Sequence, residues 1–217
     1  EVAIIEQESR PASIGDLEVV VPDFMKEVIA TFSHLARQSN HISQRSGVSV
    51  RLSVSNYEIM CANAVRRALR AGETNVAPRV SDLEALAAST SGKVEIESLE
   101  EGREGAILEQ IVKAAVLQVY KRLATPATVH IDKVNEILAA FESGTLAHAG
   151  EDITSAQLVQ LLSDIPALKS VVEVFVGTNA TPAVQASGVE FVLEGLHLSK
   201  RLNKDASGVR ATYRAKA

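Results

Sequence analysis

Apolar residues recur along most of the chain at helical spacing. From Pro22, the residues Phe24, Met25, Val28, Ile29, Phe32, Leu35 and Ala36 share one stripe, with a proline where a first turn tolerates it, and they predict a helix. Residues 40–50 lose that period and gather Ser, Asn and Gly, the composition of a loop that ends near Arg51. The next stripe, Val54, Tyr57, Met60, Cys61, Ala64, Val65, Ala68 and Leu69, predicts a helix closed by Gly72, with Arg66, Arg67 and Arg70 on its opposite face. Past Pro78, Ser81-Asp82-Leu83-Glu84 has the form of a capping box ahead of Leu86 and Ala87, which predicts a shorter helix ending near Gly92. The acidic stretch from Glu95 to Glu104 has no period and marks a candidate boundary between two units.

The second half repeats the pattern. Ile107, Leu108, Ile111, Val112, Ala115, Val116, Val119, Tyr120 and Leu123 predict a long helix that stops before Pro126. Helices follow around Ile131 to Phe141, Leu158 to Leu162 and Leu168 to Phe175. A last one is expected from about Pro182 to Asn203, in which Gly188 and Gly195 either weaken the helix or let another approach closely. Glu18 to Val21 and Val94 to Ile96 are candidates for short strands, too little for a full sheet. The expected class is therefore mainly α: a helical bundle at 21–95, an acidic linker at 96–105, a second helical unit at 106–203 and a loosely ordered basic tail at 204–217.

Composition narrows the setting. The 217 residues are 46% hydrophobic and 23% charged, with no apolar run long enough to span a bilayer. Lys and Arg number 22 against 27 Asp and Glu, a net charge of -5, so nucleic-acid binding would need a local patch. One such patch is Lys200, Arg201, Lys204, Arg210, Arg214 and Lys216, which faces only Asp205 in the sequence. A single cysteine, Cys61, within a run of helix formers fits a core position and a reduced, cytoplasmic setting. The opening Glu-Val-Ala-Ile-Ile has no initiator Met, basic n-region or Arg-rich leader, and is expected to belong to the later part of a longer chain.

Few motifs carry chemistry. Ser91-Gly92-Lys93 lacks the Gly and the Ser or Thr that a phosphate-binding loop needs, since Ala87 and Val94 stand there, and no Walker B run occurs. Glu194-x-x-His197 has the spacing of half a di-iron site without its second half, and reads as a surface pair on an amphipathic helix. No Cys and His pattern has zinc spacing, so no metal ligands are assigned. Gly47-Val48-Ser49-Val50-Arg51 is different: a polar loop delivers one Arg to the start of an apolar helix. A guanidinium held there can bind phosphate oxygens bidentately, or it can satisfy carbonyls or pair with Glu58.

Gly-Val-Ser-Val-Arg, followed by Leu-Ser-Val-Ser-Asn-Tyr-Glu and by Ala-x-Arg-Arg-Ala-Leu-Arg, resembles the sensor 2 region of AAA+ ATPases of the MoxR and magnesium chelatase I-subunit type. The resemblance covers residues 20–95. It implies that 21–95 is the lid of such an ATPase, that 1–20 links it to an upstream core, and that Arg51 is the sensor 2 arginine. Arg51 would then be both the catalytic and the nucleotide-binding residue, acting in its own subunit's site or a neighbour's. It further implies ATP and Mg2+ in the full-length protein and none in this stretch alone, a homo-oligomeric ring, and a partner with a von Willebrand factor A domain. The helical extension has no counterpart in the chelatase pattern, so remodelling of a partner protein is the broader implied activity and metal insertion the narrower one. The competing reading is a non-enzymatic, all-α protein-interaction or transcription-regulatory module.

Overall fold

Two hydrophobic cores share one helix. The computed structural model describes residues 1–9, 17–43, 48–91, 93–96 and 103–216, and among them the architecture is mainly α. Helices α1 (Val2–Glu8), α2 (Asp23–Gln38), α3 (Val50–Ala71), α4 (Ala85–Ser91) and α5 (Glu104–Leu123) enclose the first core, with a 3-10 turn, Val80–Glu84, leading into α4. Helices α6 (Ile131–Glu142), α7 (Ser155–Asp164), α8 (Pro166–Val176) and α9 (Pro182–Leu198) enclose the second, together with strands β3 (Ala147–Gly150), β4 (Leu202–Ser207) and β5 (Arg210–Ala215). Two short strands, β1 (Glu18–Val19) and β2 (Asn75–Val76), pair in parallel and tie the entry of α2 to the exit of α3.

The stripes read from the sequence become buried faces. Phe24, Val28, Ile29 and Phe32 of α2 pack with Tyr57 and Met60 of α3. Gly72 closes α3 in the left-handed region at φ 67°, a conformation glycine adopts without a Cβ penalty. Cys61 is buried in this core, and burial pushes its thiol up to about 12. Ile96, in the second strand candidate, forms an isolated antiparallel bridge with Ile42.

Three arrangements differ from expectation. Helix α5, assigned to the extension beginning at 106, buries Leu108, Ile111, Ala115, Val116 and Val119 in the first core, largely against α2, so the packing seam falls after α5. Its stripe shows that one face is buried but not against which partner. Residues 97–102 of the 96–105 linker lie outside the described residues. Helix α9 stops at Leu198 rather than Asn203, because Lys200 takes a positive φ of 61° and turns the chain into β4. The basic tail at 204–217, expected to be loose, is instead a hairpin: β4 and β5 pair antiparallel across Gly208-Val209, and β3 completes the order β3-β5-β4. Leu202 and Tyr213 anchor the hairpin in the second core.

Every residue of α9 from Ala186 to Leu196 is buried, as expected for a helix enclosed on all sides. Phe191 reaches into the first core, stacked on Phe24 at 4.3 Å between centroids and edge-on to Tyr120 at 5.7 Å. Its burial contributes about 1.5–3 kcal/mol. The α9 glycines permit this approach. A Cβ on Gly195 would lie 2.3 Å from ring carbons of Tyr120 in α5, and one on Gly188 would lie 2.8 Å from a methyl of Val172 in α8. Helix propensity alone favours Gly195→Ala by about 1 kcal/mol, whereas the Tyr120 ring opposes it. We expect Gly195→Ala to lower stability by about 2 kcal/mol or more in urea unfolding, the scale of core overpacking. A gain in stability would show that α5 and α9 are not in this close contact.

Candidate functional site

Arg51 sits in the first turn of α3, exposed, at the edge of a shallow groove shared with Ile4, Glu8, Ser49, Val50, Val54 and Glu58. The Ser49 hydroxyl caps the helix by accepting the Arg51 backbone N–H at 3.2 Å. Upstream, Arg37 Nε donates to the Val48 carbonyl at 2.9 Å, while its Nη2 and the Ser53 hydroxyl both donate to Glu1, which ties Val48 and the first turn of α3 to α2. No acidic residue lies in the first turn of α3. The Arg51 guanidinium makes no hydrogen bond or ion pair among the described residues, and no ion pair joins it to Glu58. Both the helix terminus and the free guanidinium favour an anion. Gly47 of the motif lies outside the described residues.

The other end of α3 enters a buried charge network absent from the sequence reading. Arg67, placed there on the exposed face with Arg66 and Arg70, is only 1% exposed. It donates to the Ala77 carbonyl at 2.8 Å and to Asp82 at 3.0 Å. Burial works against its charge, but Asp82, Glu190 and Glu73 outweigh that and hold its pKa above the ordinary value. Its spacing was informative: three residues past Ala64 and seven past Met60, it falls on the apolar stripe.

Arg79, fully buried between the cores, donates to the Ile153 carbonyl and to Ser155 Oγ, each at 2.6 Å. Glu73 and Glu190 lie 3.6 and 4.0 Å from its guanidinium. Burial and the neighbouring Arg67 push Arg79 below its ordinary pKa. The capping box also differs from expectation: Asp82, not Glu84, returns its carboxylate to the chain, accepting the Arg79 N–H at 2.8 Å. Ser81 gives its backbone N–H to Glu190 at 2.9 Å. Glu73 also accepts the backbone N–H of Ser155, in the first turn of α7.

The pair Glu194 and His197, read as a surface pair, lines a cleft instead. Glu194 is 3% exposed and accepts Lys204 Nζ at 2.8 Å and the Tyr213 hydroxyl at 2.5 Å. Burial and the Glu194 charge raise the Tyr213 pKa well above its usual value. His197 Nδ1 lies 3.1 Å from the Leu202 carbonyl and donates to it. Three cations of the basic hairpin are paired: Lys204 with Glu194 and Arg210 with Asp152 from elsewhere in the fold, and Arg214 with Asp205 of the hairpin itself. Lys93 bonds Ser55 and Ser89 at the end of α4, where Gly92 lies outside the described residues. No group of three or more metal-ligating side chains occurs among the described residues, and no helix there is long and apolar enough to cross a membrane.

The charge network yields a stability prediction. Arg79→Met removes the cation nearest the buried Glu190 carboxylate and one of the two that face Glu73, which keeps Arg67 at 3.6 Å, and should cost about 3–5 kcal/mol. Arg66→Ala removes an exposed pair with Glu151 and should cost less than about 1 kcal/mol. Denaturant midpoints of the two variants check this; equal losses would mean that burial of the network is not what makes it matter.

Compared with protein-family models, with curated proteins and with solved structures, the chain matches none.

Proposed function

We propose that this chain is the lid and helical extension of an AAA+ ATPase of the MoxR and magnesium chelatase I-subunit type, in which Arg51 contacts the nucleotide phosphates. The observation that carries the reading is the free guanidinium of Arg51 in the first turn of α3, a helix capped by Ser49, with no bond of its own among the described residues. An exposed guanidinium at a helix N-terminus is open to an incoming phosphate, whose oxygens its planar fork can bind bidentately. The helical packing of 21–91 around one core is consistent with a lid.

ATP and Mg2+ fit only in part. The chain offers the phosphates a single guanidinium, while the phosphate loop and the metal ligands would come from the upstream core. Bound there, the nucleotide supplies the phosphoryl group whose hydrolysis drives the ring, and Arg51 offsets charge on its phosphate oxygens. The ring, its partner with a von Willebrand factor A domain, and the cytoplasmic setting belong to the same proposal. Remodelling of a protein partner is its general form and metal insertion its special case.

Arg51→Ala should leave the chain folded, with stability within about 0.5 kcal/mol, because the side chain supports no other group. In the full-length protein it should lower ATP turnover at least about tenfold, and Arg51→Lys should restore little, because an ammonium cannot reproduce the bidentate fork. Thermal unfolding of the chain and steady-state ATPase rates, measured together, decide it. Unchanged turnover would remove Arg51 from the site.

A further inference from the structure

A concave cleft of about 590 Å³ opens where the two cores face each other, away from Arg51. Its floor is the α9 row Glu190, Glu194 and His197; one wall is formed by the 3-10 turn, α4 and α5, the other by β3 and the β4–β5 hairpin. The walls are mainly small and apolar, with Val80, Leu83, Ala87, Val112, Ala206 and Val209 among them. The volume falls in the range of about 300–1,000 Å³ typical of small-molecule sites.

Charge selects the kind of occupant. The three cations on the lining already have carboxylate partners: Lys113 pairs with Glu109 at 2.5 Å, Lys204 with Glu194 at 2.8 Å, and Arg210 with Asp152. Of the other two carboxylates on the lining, Glu190 faces the buried Arg79 and Glu84 makes no hydrogen bond or ion pair among the described residues. Glu190, 2% exposed, gives one oxygen to Ser81 N–H and keeps the other, Oε1, without a hydrogen bond, 4.0 Å from Arg79. Ser81 Oγ beside it is also without a hydrogen-bond partner. The surplus on this wall is of acceptors and negative charge. Glu84 is exposed at the cleft edge, and partial burial raises its pKa, as do the carboxylates of Glu151, Glu109 and Glu190, with Lys204 acting against them.

We propose that the cleft binds a small aliphatic amine, its ammonium directed at Glu84 and the Ser81–Glu190 floor and its apolar body laid along Val80, Leu83 and Val112. This site is independent of the Arg51 reading. An ammonium supplies the donors that the wall lacks and relieves repulsion among its carboxylates, while the apolar body displaces water from the small side chains. An anion would meet the Glu84 carboxylate without a cation paired to it.

The test uses n-hexylamine as the probe, protonated at neutral pH, with n-hexanol and hexanoate as controls, followed by amide NMR shifts and calorimetry on the whole chain. Hexylammonium should give saturable shifts at α4, α5 and the hairpin, with Kd of about 1 mM or tighter. Hexanol and hexanoate should bind at least about fivefold more weakly, and Glu84→Gln should weaken the amine by a similar factor, the scale of one net hydrogen bond. Ala206→Trp, at an exposed strand position that lines the cleft, should abolish binding without unfolding the chain. Absence of saturable binding, equal binding of hexanol, or an unchanged Kd in Glu84→Gln would each overturn the proposal. Tighter binding of a lysine-containing tripeptide than of any free amine would place the ligand in a partner chain and overturn it too.

Discussion

A positive charge fully enclosed between two hydrophobic cores needs partners from several sides, and Arg79 sets that requirement for this fold, with its Nε left without a hydrogen bond. Its backbone N–H is held by Asp82, its guanidinium takes the Ile153 carbonyl and Ser155 Oγ, and Glu73 and Glu190 face it from α3's exit and from α9. Those groups come from four separate stretches of chain. The network therefore fixes how the first core sits against the second, and α9, sealed between them by Phe191, supplies the apolar part of the same junction. Placing the ions inside is costly in desolvation; the return is in orientation, since a mispositioned unit would leave an uncompensated charge in the interior.

Arginines of α3 meet three different fates within 22 residues. Arg67 is buried and fully engaged, Arg66 and Arg70 make exposed pairs with Glu151, and Arg51 has no partner among the described residues. The same side chain thus serves the interior, the surface seam and an open groove, according to which turn of the helix carries it. Of the four, only Arg51 has no carboxylate or carbonyl to give up before it can take a ligand.

The long helices were legible because a stripe repeated over several turns leaves few alternatives, and Gly72 marked the end of α3 because a left-handed residue was needed there. Strands β3, β4 and β5 were not. Ala-His-Ala-Gly is too short to carry a pattern, and Leu202 to Ala215 contributes just two side chains to the buried core, although the Ser207-Gly208 pair between two six-residue runs was a usable turn signal. Arg51 was singled out as a cation delivered to a loop-to-helix junction, and the structure places it exposed in the first turn of α3. The interior network was missed because its partners lie far apart in sequence, Arg79 from Ser155 and Ser81 from Glu190. A signal did exist in the two glutamates, 190 and 194, set among apolar residues on a helix with no polar face to receive them.

The middle strand of the three-stranded sheet is the last of the three to be synthesised. β5 lies between β3 and β4, and β3 pairs with it across an interval that holds α7, α8 and α9. Neither β3 nor β4 has a sheet neighbour until β5 has left the ribosome, and the Tyr213 hydroxyl that closes over Glu194 arrives with it. The second core consequently cannot be completed progressively as its helices emerge: α6 to α9 must wait, partly open, for a hairpin whose closing pairings are long-range and so slow to form.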